Sequence, residues 1–256
     1  MRRDAALEEA SGSAYAFTRV LPAGDEGLLF EFGSDIDEAT NQRVQDFAEA
    51  LRLARIPGVR SITPGYLSVL VEYDGGLRHQ GAMEQVLSAA SAASVQQRMA
   101  RHHLIPVCYG GAFGPDLEDV AMATGLVPQE VVRLHASQEY RVYCLGFSPG
   151  FPLCAPIPAA LRLPRRSQPR LRVPEGSVAI AGMQTGIYPL ETAGGWHLIG
   201  RTPARVFSWN DPSVTMILPG DTISFRPVGE EEYLEIADRA ARRETSARVA
   251  AGGADG

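Results

Sequence analysis

A chain of 256 residues, 45% hydrophobic and 21% charged, is long enough for one large or two small domains with buried cores. Its formal net charge of −6 argues against non-specific affinity for nucleic acid or an anionic membrane. No apolar run approaches a bilayer span, and the N-terminal MRRDAALEEASGS lacks the apolar stretch of a secretory signal.

Residues 1–14 are small and polar, and disorder is expected there. Two apolar runs, FTRVL and GLLFEF, flank the turn signal Pro22-Ala23-Gly24-Asp25 and predict a strand pair. Val44, Phe47, Ala48 and Leu51 recur at helical spacing across Asp37 to Leu53, with Asp37 or Thr40 as cap and Pro57-Gly58 as terminator. Strands are expected at 59–63 and 66–73, and a helix over the alanine-rich Gly81 to Ala100. Residues 15–100 thus read as a small α/β layer domain without catalytic features.

A second domain, 101–235, opens on the strand His103 to Tyr109. Helices follow from Asp116 to Thr124 and from Pro128 to His135. A DNA-binding helix-turn-helix would suit this pair, but Asp116, Glu118, Asp119 and Glu130 make it acidic. Short runs of period-two alternation come next, at 141–145, 177–181, 185–189, 196–200, 204–207, 215–218 and 221–225. They predict a barrel or sandwich. Between them, Cys144 to Thr202 is dense in Gly, Pro, Arg and aromatic residues, the composition of tight turns and one long ordered loop. Residues 236–256 form a charged, alanine-rich, flexible tail, expected to be partly helical and then disordered.

The chemistry-bearing residues lie in that dense stretch. Arg162, Arg165, Arg166, Arg170 and Arg172 fall within eleven positions that hold no acid. Guanidinium groups in such a setting bind carboxylate or phosphate, or remain a solvated basic loop. Gln184, Thr185 and Tyr188 have the donors and acceptors to orient an amide or lactam, or to stabilise turns. Phe147, Phe151 and Trp196 line a pocket or pack as core. Arg201 and Thr202 offer one more anion contact. His135 and His197 have no sequence partner that defines a triad or metal site, so no catalytic residue and no metal ligand is assigned. Ser148 lies in Gly-Phe-Ser-Pro-Gly, which is not a nucleophile elbow. The three cysteines, Cys108, Cys144 and Cys154, form no C-x-x-C pair and read as small buried hydrophobes in a reducing, cytoplasmic setting, with a nucleophilic thiol as the alternative. No Walker phosphate loop is present.

Several segments together carry a resemblance. GFSPGF at 146–151, PRRSQPRLRVPEGSVAIAG at 164–182, QTGIYPL at 184–190, GGWHLIGRTP at 194–203 and PGD at 219–221 resemble the allophanate hydrolase subunit 1 family. IPVCYGGAFGPDLEDVA at 105–121 and GDEGLLFEFG at 24–33 extend the likeness over about 17–228. The family includes the B-type component of 5-oxoprolinase, the kinase A inhibitor KipI and one half of the carboxyltransferase region of urea carboxylase. The resemblance implies an α+β protein: a ferredoxin-like α/β domain followed by a cyclophilin-like β-barrel. It implies an ATP-dependent lactam-processing hydrolase that opens 5-oxoproline to glutamate. The partners it implies are a subunit 2 protein, of the C type in 5-oxoprolinase, and a further protein of the A type. It places Arg166 and Arg170 in the family motif. The alternatives are a KipI-like inhibitor of a sensor histidine kinase and a component related to urea carboxylase or allophanate hydrolase. A biotin-accepting Met-Lys motif is absent. Leu153-Cys154-Ala155-Pro156, Val173-Pro174-Glu175-Gly176 and Ala181-Gly182-Met183-Gln184 depart from the family pattern in this loop region.

Overall fold

The computed structural model describes residues 17–74, 79–92, 98–208 and 217–252, the last ten by backbone alone. The expectation for 1–14 and part of the expected strand at 215–218 fall outside these residues. The chain divides into two compact units, Met1–Met99 and Ala100–Gly256. No helix among the described residues is long and apolar enough to cross a membrane.

In the first unit, strands β1 (Arg19–Pro22), β2 (Gly27–Glu31), β3 (Val59–Pro64) and β4 (Ser68–Tyr73) form a sheet in the order β1-β2-β4-β3. Every neighbouring pair is antiparallel. Helix α1 (Glu38–Ala54) starts where the Asp37 carboxylate accepts the Thr40 N–H at 2.8 Å. Its stripe of Val44, Phe47, Ala48 and Leu51 packs on Leu28, Phe30, Val69 and Val71. Helix α2 (His79–Ala92) adds Ala82, Val86 and Ala90 at intervals of one turn. The expected helix to Ala100 is shorter: residues 98–100 carry no regular structure. The arrangement is ferredoxin-like, with the edge strand that ordinarily closes such a unit placed first in the chain.

In the second unit, strands β5 (His102–Tyr109), β6 (Glu139–Leu145), β7 (Pro152–Ala155), β9 (Ser177–Ala181), β10 (Gln184–Ile187), β12 (His197–Arg201) and β13 (Thr222–Pro227) close a barrel in the order β10-β7-β6-β13-β5-β12-β9. Strand β9 returns to β10 through an antiparallel ladder. Only β5 and β13 of the barrel run parallel, from Thr222↔His102 to Pro227↔Val107. Asp221, fully buried, clasps this seam: it accepts from the Arg101 N–H at 2.9 Å, the Leu218 N–H at 2.9 Å and His103 Nε2 at 2.9 Å. A separate ribbon pairs β8 (Arg170–Val173) with β11 (Thr192–Gly194).

Strand β9 is buried along its whole length. Val178 and Ile180 join the main core with Val107, Val142, Cys154, Ile223 and Phe225. Ala179 and Ala181 join a second cluster with Phe151, Val173, Tyr188, Trp196 and Leu198. Alternation therefore puts the two clusters on opposite faces of one strand. Helices α3 (Leu117–Thr124) and α4 (Pro128–Ala136) bury Leu117, Val120, Ala121 and Val131 in the main core, so the helix pair covers the barrel. Helix α5 (Glu230–Gly252) docks Tyr233 on Phe113, ring centroids 4.6 Å apart. The segment expected as a flexible tail from 236 begins inside this helix, where alanines and an Asp238–Arg242 pair one turn apart favour helix.

Three strands escape the sequence reading: β7, β8 and β11, each three or four residues long. In contrast, 204–207, expected as a strand, has no regular structure. Gly114 sits against the Ile199 carbonyl so closely that any Cβ would fall on that backbone atom. A Gly114→Ala substitution should destabilise the second unit by about 2 kcal/mol or more. Urea unfolding followed by tryptophan fluorescence checks this, because both tryptophans, Trp196 and Trp209, lie in that unit.

Candidate functional site

Gly114 delivers the chain into Asp116, the residue before α3. The Asp116 carboxylate is 1% exposed and accepts four hydrogen bonds. Arg166 Nη1 donates to Oδ1 at 2.6 Å; Arg170 donates through Nη2 to Oδ1 at 2.6 Å and through Nη1 to Oδ2 at 2.8 Å. The Leu198 N–H donates to Oδ2 at 2.7 Å. Two guanidinium groups therefore converge on one buried carboxylate, the bidentate geometry that Arg favours. Both remain about a quarter exposed, at 27% and 26% of their side chains. The arm that carries Arg166 is tied to the turn before β12. The Arg166 N–H donates to the Gly195 carbonyl at 2.8 Å, and His197 Nε2 donates to the Pro164 carbonyl at 2.9 Å. Arg166 Nε and His197 Nδ1 are buried without a hydrogen-bond partner.

An aromatic wall adjoins this cluster. Phe151 meets Tyr188 edge-on at 5.0 Å and Trp196 at 5.5 Å. Phe147 meets Phe151 at 5.5 Å and Tyr188 at 6.0 Å. Phe147 is 67% exposed and holds a left-handed φ of 66°, a conformation that costs a β-carbon residue about 1–2 kcal/mol. An open depression of about 300 Å3 is lined by Leu145 to Gly150, and within it the Ser148 hydroxyl is buried without a partner. Tyr188 joins the wall to the arginines. Burial raises its hydroxyl pKa, while the Trp196 N–H, Arg165 and Arg170 act in the opposite direction.

The strand parity of β10 sorts the remaining residues. Gln184, Gly186 and Tyr188 point to the aromatic face, and the Phe151 ring lies over Gly186, where a Cβ would be 2.5 Å from it. Gln184 and Tyr188 thus share a face with the Phe151 ring between them. Thr185 points the other way and does not join them. It is fully buried, donates to the Ala179 carbonyl at 3.1 Å and lies 2.8 Å from His135 Nε2. Since the Thr185 proton goes to Ala179, His135 Nε2 carries the hydrogen, and Nδ1 accepts from the Tyr109 hydroxyl at 2.8 Å. Arg201 is also elsewhere: its charge acts on the Tyr233 hydroxyl of α5, against the upward push of burial. Thr202 is buried, and its hydroxyl accepts from the Ala204 N–H at 3.0 Å. Arg172 pairs with Glu191 outside the cluster, at 2.7 Å. Asp116, the residue that organises the site, was legible only as a helix start.

Neither thiol chemistry nor His135 base chemistry fits these surroundings. Burial pushes the Cys144 thiol up to about 12 and Cys154 further up. Burial holds the His135 imidazole down at about 3, so it is neutral at pH 7. The unfolded chain therefore binds one more proton than the folded one between that value and about 6.5. Stability should fall as pH drops through this window, by about 2 kcal/mol between pH 7 and pH 5 from this residue alone. A His135→Asn variant, less stable at pH 7, should lose that share of the acid sensitivity in urea titrations at the two pH values.

Comparison with known proteins places the chain in a family. Residues 18–217 match the family described as carboxyltransferase domain, subdomain C and D. The chain is 38% identical over 222 residues to the B-type 5-oxoprolinase component of Bacillus subtilis (strain 168), covering 82% of this chain and 92% of that protein. It is 39% identical over 209 residues to the B-type 5-oxoprolinase component of Escherichia coli O157:H7, covering 81% and 94%. Among solved structures, TTHA0988 superposes with a TM-score of 0.69 at 39% identity over 79% of this chain, which spans 40% of that longer chain. With a family match over most of its length and relatives at this identity, the chain belongs to the carboxyltransferase domain, subdomain C and D family.

Proposed function

We propose that the chain is the B-type component of a 5-oxoprolinase, opening 5-oxoproline to glutamate together with an A-type and a C-type partner. The observation that carries this reading is coverage: the chain spans 92% and 94% of two bacterial proteins of that name. The site chemistry supports it. 5-Oxoproline presents one carboxylate, one lactam and an apolar ring edge. The free Nη groups of Arg166 and Arg170 suit the carboxylate, Gln184 has the paired donor and acceptor for a lactam, and the exposed Phe147, backed by the buried Phe151, gives the ring an apolar wall. Pinning the two guanidinium groups beforehand lets them meet the anion without reordering.

ATP does not fit this cluster. One of its two pinned positive charges is cancelled by Asp116, so a triphosphate would face a single net charge. All 24 basic residues of the chain are arginine, so no lysine is present to reach a phosphate as in a Walker loop. ATP use is therefore assigned to the assembled enzyme and its partners. The free thiols suit a cytoplasmic setting, where they stay reduced.

Co-purified with its two partners, the chain should support ATP-dependent release of glutamate from 5-oxoproline, and alone it should not. Turnover by the isolated chain, or none by the complete set, overturns the reading. In the complex, Arg166→Gln or Arg170→Gln should raise KM for 5-oxoproline about ten- to a hundredfold, the worth of one charge-assisted hydrogen bond. Steady-state kinetics with 5-oxoproline as the varied substrate measures this.

A further inference from the structure

Asp116 contributes more than an anchor. Its carboxylate is shielded from solvent, while the side chains of the two arginines it holds are a quarter exposed. A shielded charge acts on its surroundings with little screening. Arg166, Arg170 and Asp116 therefore present one net positive charge at the surface, spread over two guanidinium groups. Asp116 takes one N–H from Arg166 and two from Arg170. Each guanidinium has five such donors; with Arg166 Nε buried, Nη N–H groups of both arginines that Asp116 does not take remain for a ligand. Arg165, exposed to water, adds a charge that solvent screens.

We propose that Asp116 is a specificity-determining residue of this site: by cancelling one of two arginine charges it sets the site for a singly charged anion and against a doubly charged one. The inference rests on the reading of Arg166 and Arg170 as the anion contact, but not on turnover. Asp116 does not touch the ligand; it acts through the charge and the aim of the two arginines. Replacing it with Asn keeps the size and one of the two accepting oxygens, turns the NH2 group against the donors of the other, and raises the local charge by one unit. The gain in attraction is then about twice as large for a dianion as for a monoanion.

The test needs only the full chain and two probes, acetate and malonate. Binding is read from the Nε–H signals of Arg166 and Arg170 in NMR titrations at fixed ionic strength. For wild type, the ratio of Kd for malonate to Kd for acetate is the reference. In Asp116→Asn that ratio should fall about tenfold, from unit charges interacting at a partly exposed site. A residue that merely holds the fold would weaken both anions and leave the ratio unchanged. Where Asp116→Asn fails to fold, Arg166→Gln gives the opposite shift: it takes the local charge from one to zero, and the ratio read at Arg170 should rise about tenfold. A ratio that stays within twofold in the variant that folds, or arginine signals in wild type that neither probe moves, overturns the proposal. Such binding data stand whether or not the assembled enzyme turns over 5-oxoproline, so failure of this inference and failure of the functional reading are separable.

Discussion

One buried carboxylate governs the second unit. Asp116 ties three separate stretches of chain: the arm bearing Arg166, the ribbon strand bearing Arg170, and β12 through Leu198. Burying an unpaired carboxylate costs several kcal/mol, on the order of the stability of a whole domain. Four donors offset that cost here, and each comes from a different local context than the helix start that supplies the acid. The arrangement is consequently all-or-none: without the arm in place, Asp116 would be buried with too few partners. The arm, rich in proline and arginine and without helical periodicity, gains order from the same contacts.

The aromatic face shows how a strand with two buried sides serves two purposes. Val178 and Ile180 fill the main core, while Ala179 and Ala181 leave room on the other side for large rings. Small residues on that side let the Phe151 ring pack against Gly186 and bring Tyr188 and Trp196 into edge contact with it. The exposed Phe147, held in a left-handed backbone, is the outermost member of this set. Strain of that kind persists where the surrounding structure fixes it, and here the loop is closed by the Ser148 N–H to Gly146 carbonyl bond at 2.8 Å and the Phe151 N–H to Ser148 carbonyl bond at 3.1 Å.

Part of this is legible in the sequence, and the gaps have physical causes. The arginine run, the aromatic residues and Gln184 stand out by composition, although of the run only Arg166 and Arg170 meet at one carboxylate, while Arg172 pairs with Glu191. Their organising acid does not stand out, because Asp116 lies fifty positions before Arg166 and the contact is set by the path of β12, not by local pattern. Thr185 was grouped with Gln184 and Tyr188 by proximity in sequence, yet strict alternation along β10 already separates odd from even positions. Arg201 ends the strand that carries Leu198 and Thr202 follows it; they answer to α5 and to their own turn. Strands β7, β8 and β11 were missed because three or four residues carrying Pro, Cys or Gly hold too little periodicity to register. Strand 204–207 was overread for the mirror reason: Ala204-Arg205-Val206-Phe207 alternates, but no neighbouring strand accepts its ladder.

The parallel seam clasped by Asp221 has a bearing on how the barrel is made. Among the described residues β5 pairs with β12 and β13 alone, Tyr109 with Gly200 and His102 with Thr222, so the first barrel strand to be translated waits for the last ones to arrive. A polypeptide leaving the ribosome must carry His102 to Tyr109 unpaired through most of its synthesis, and closure waits on contacts of long sequence separation. The alternating exposure of β5, with His102 and Leu104 outward, keeps that waiting edge from being a continuous sticky strip.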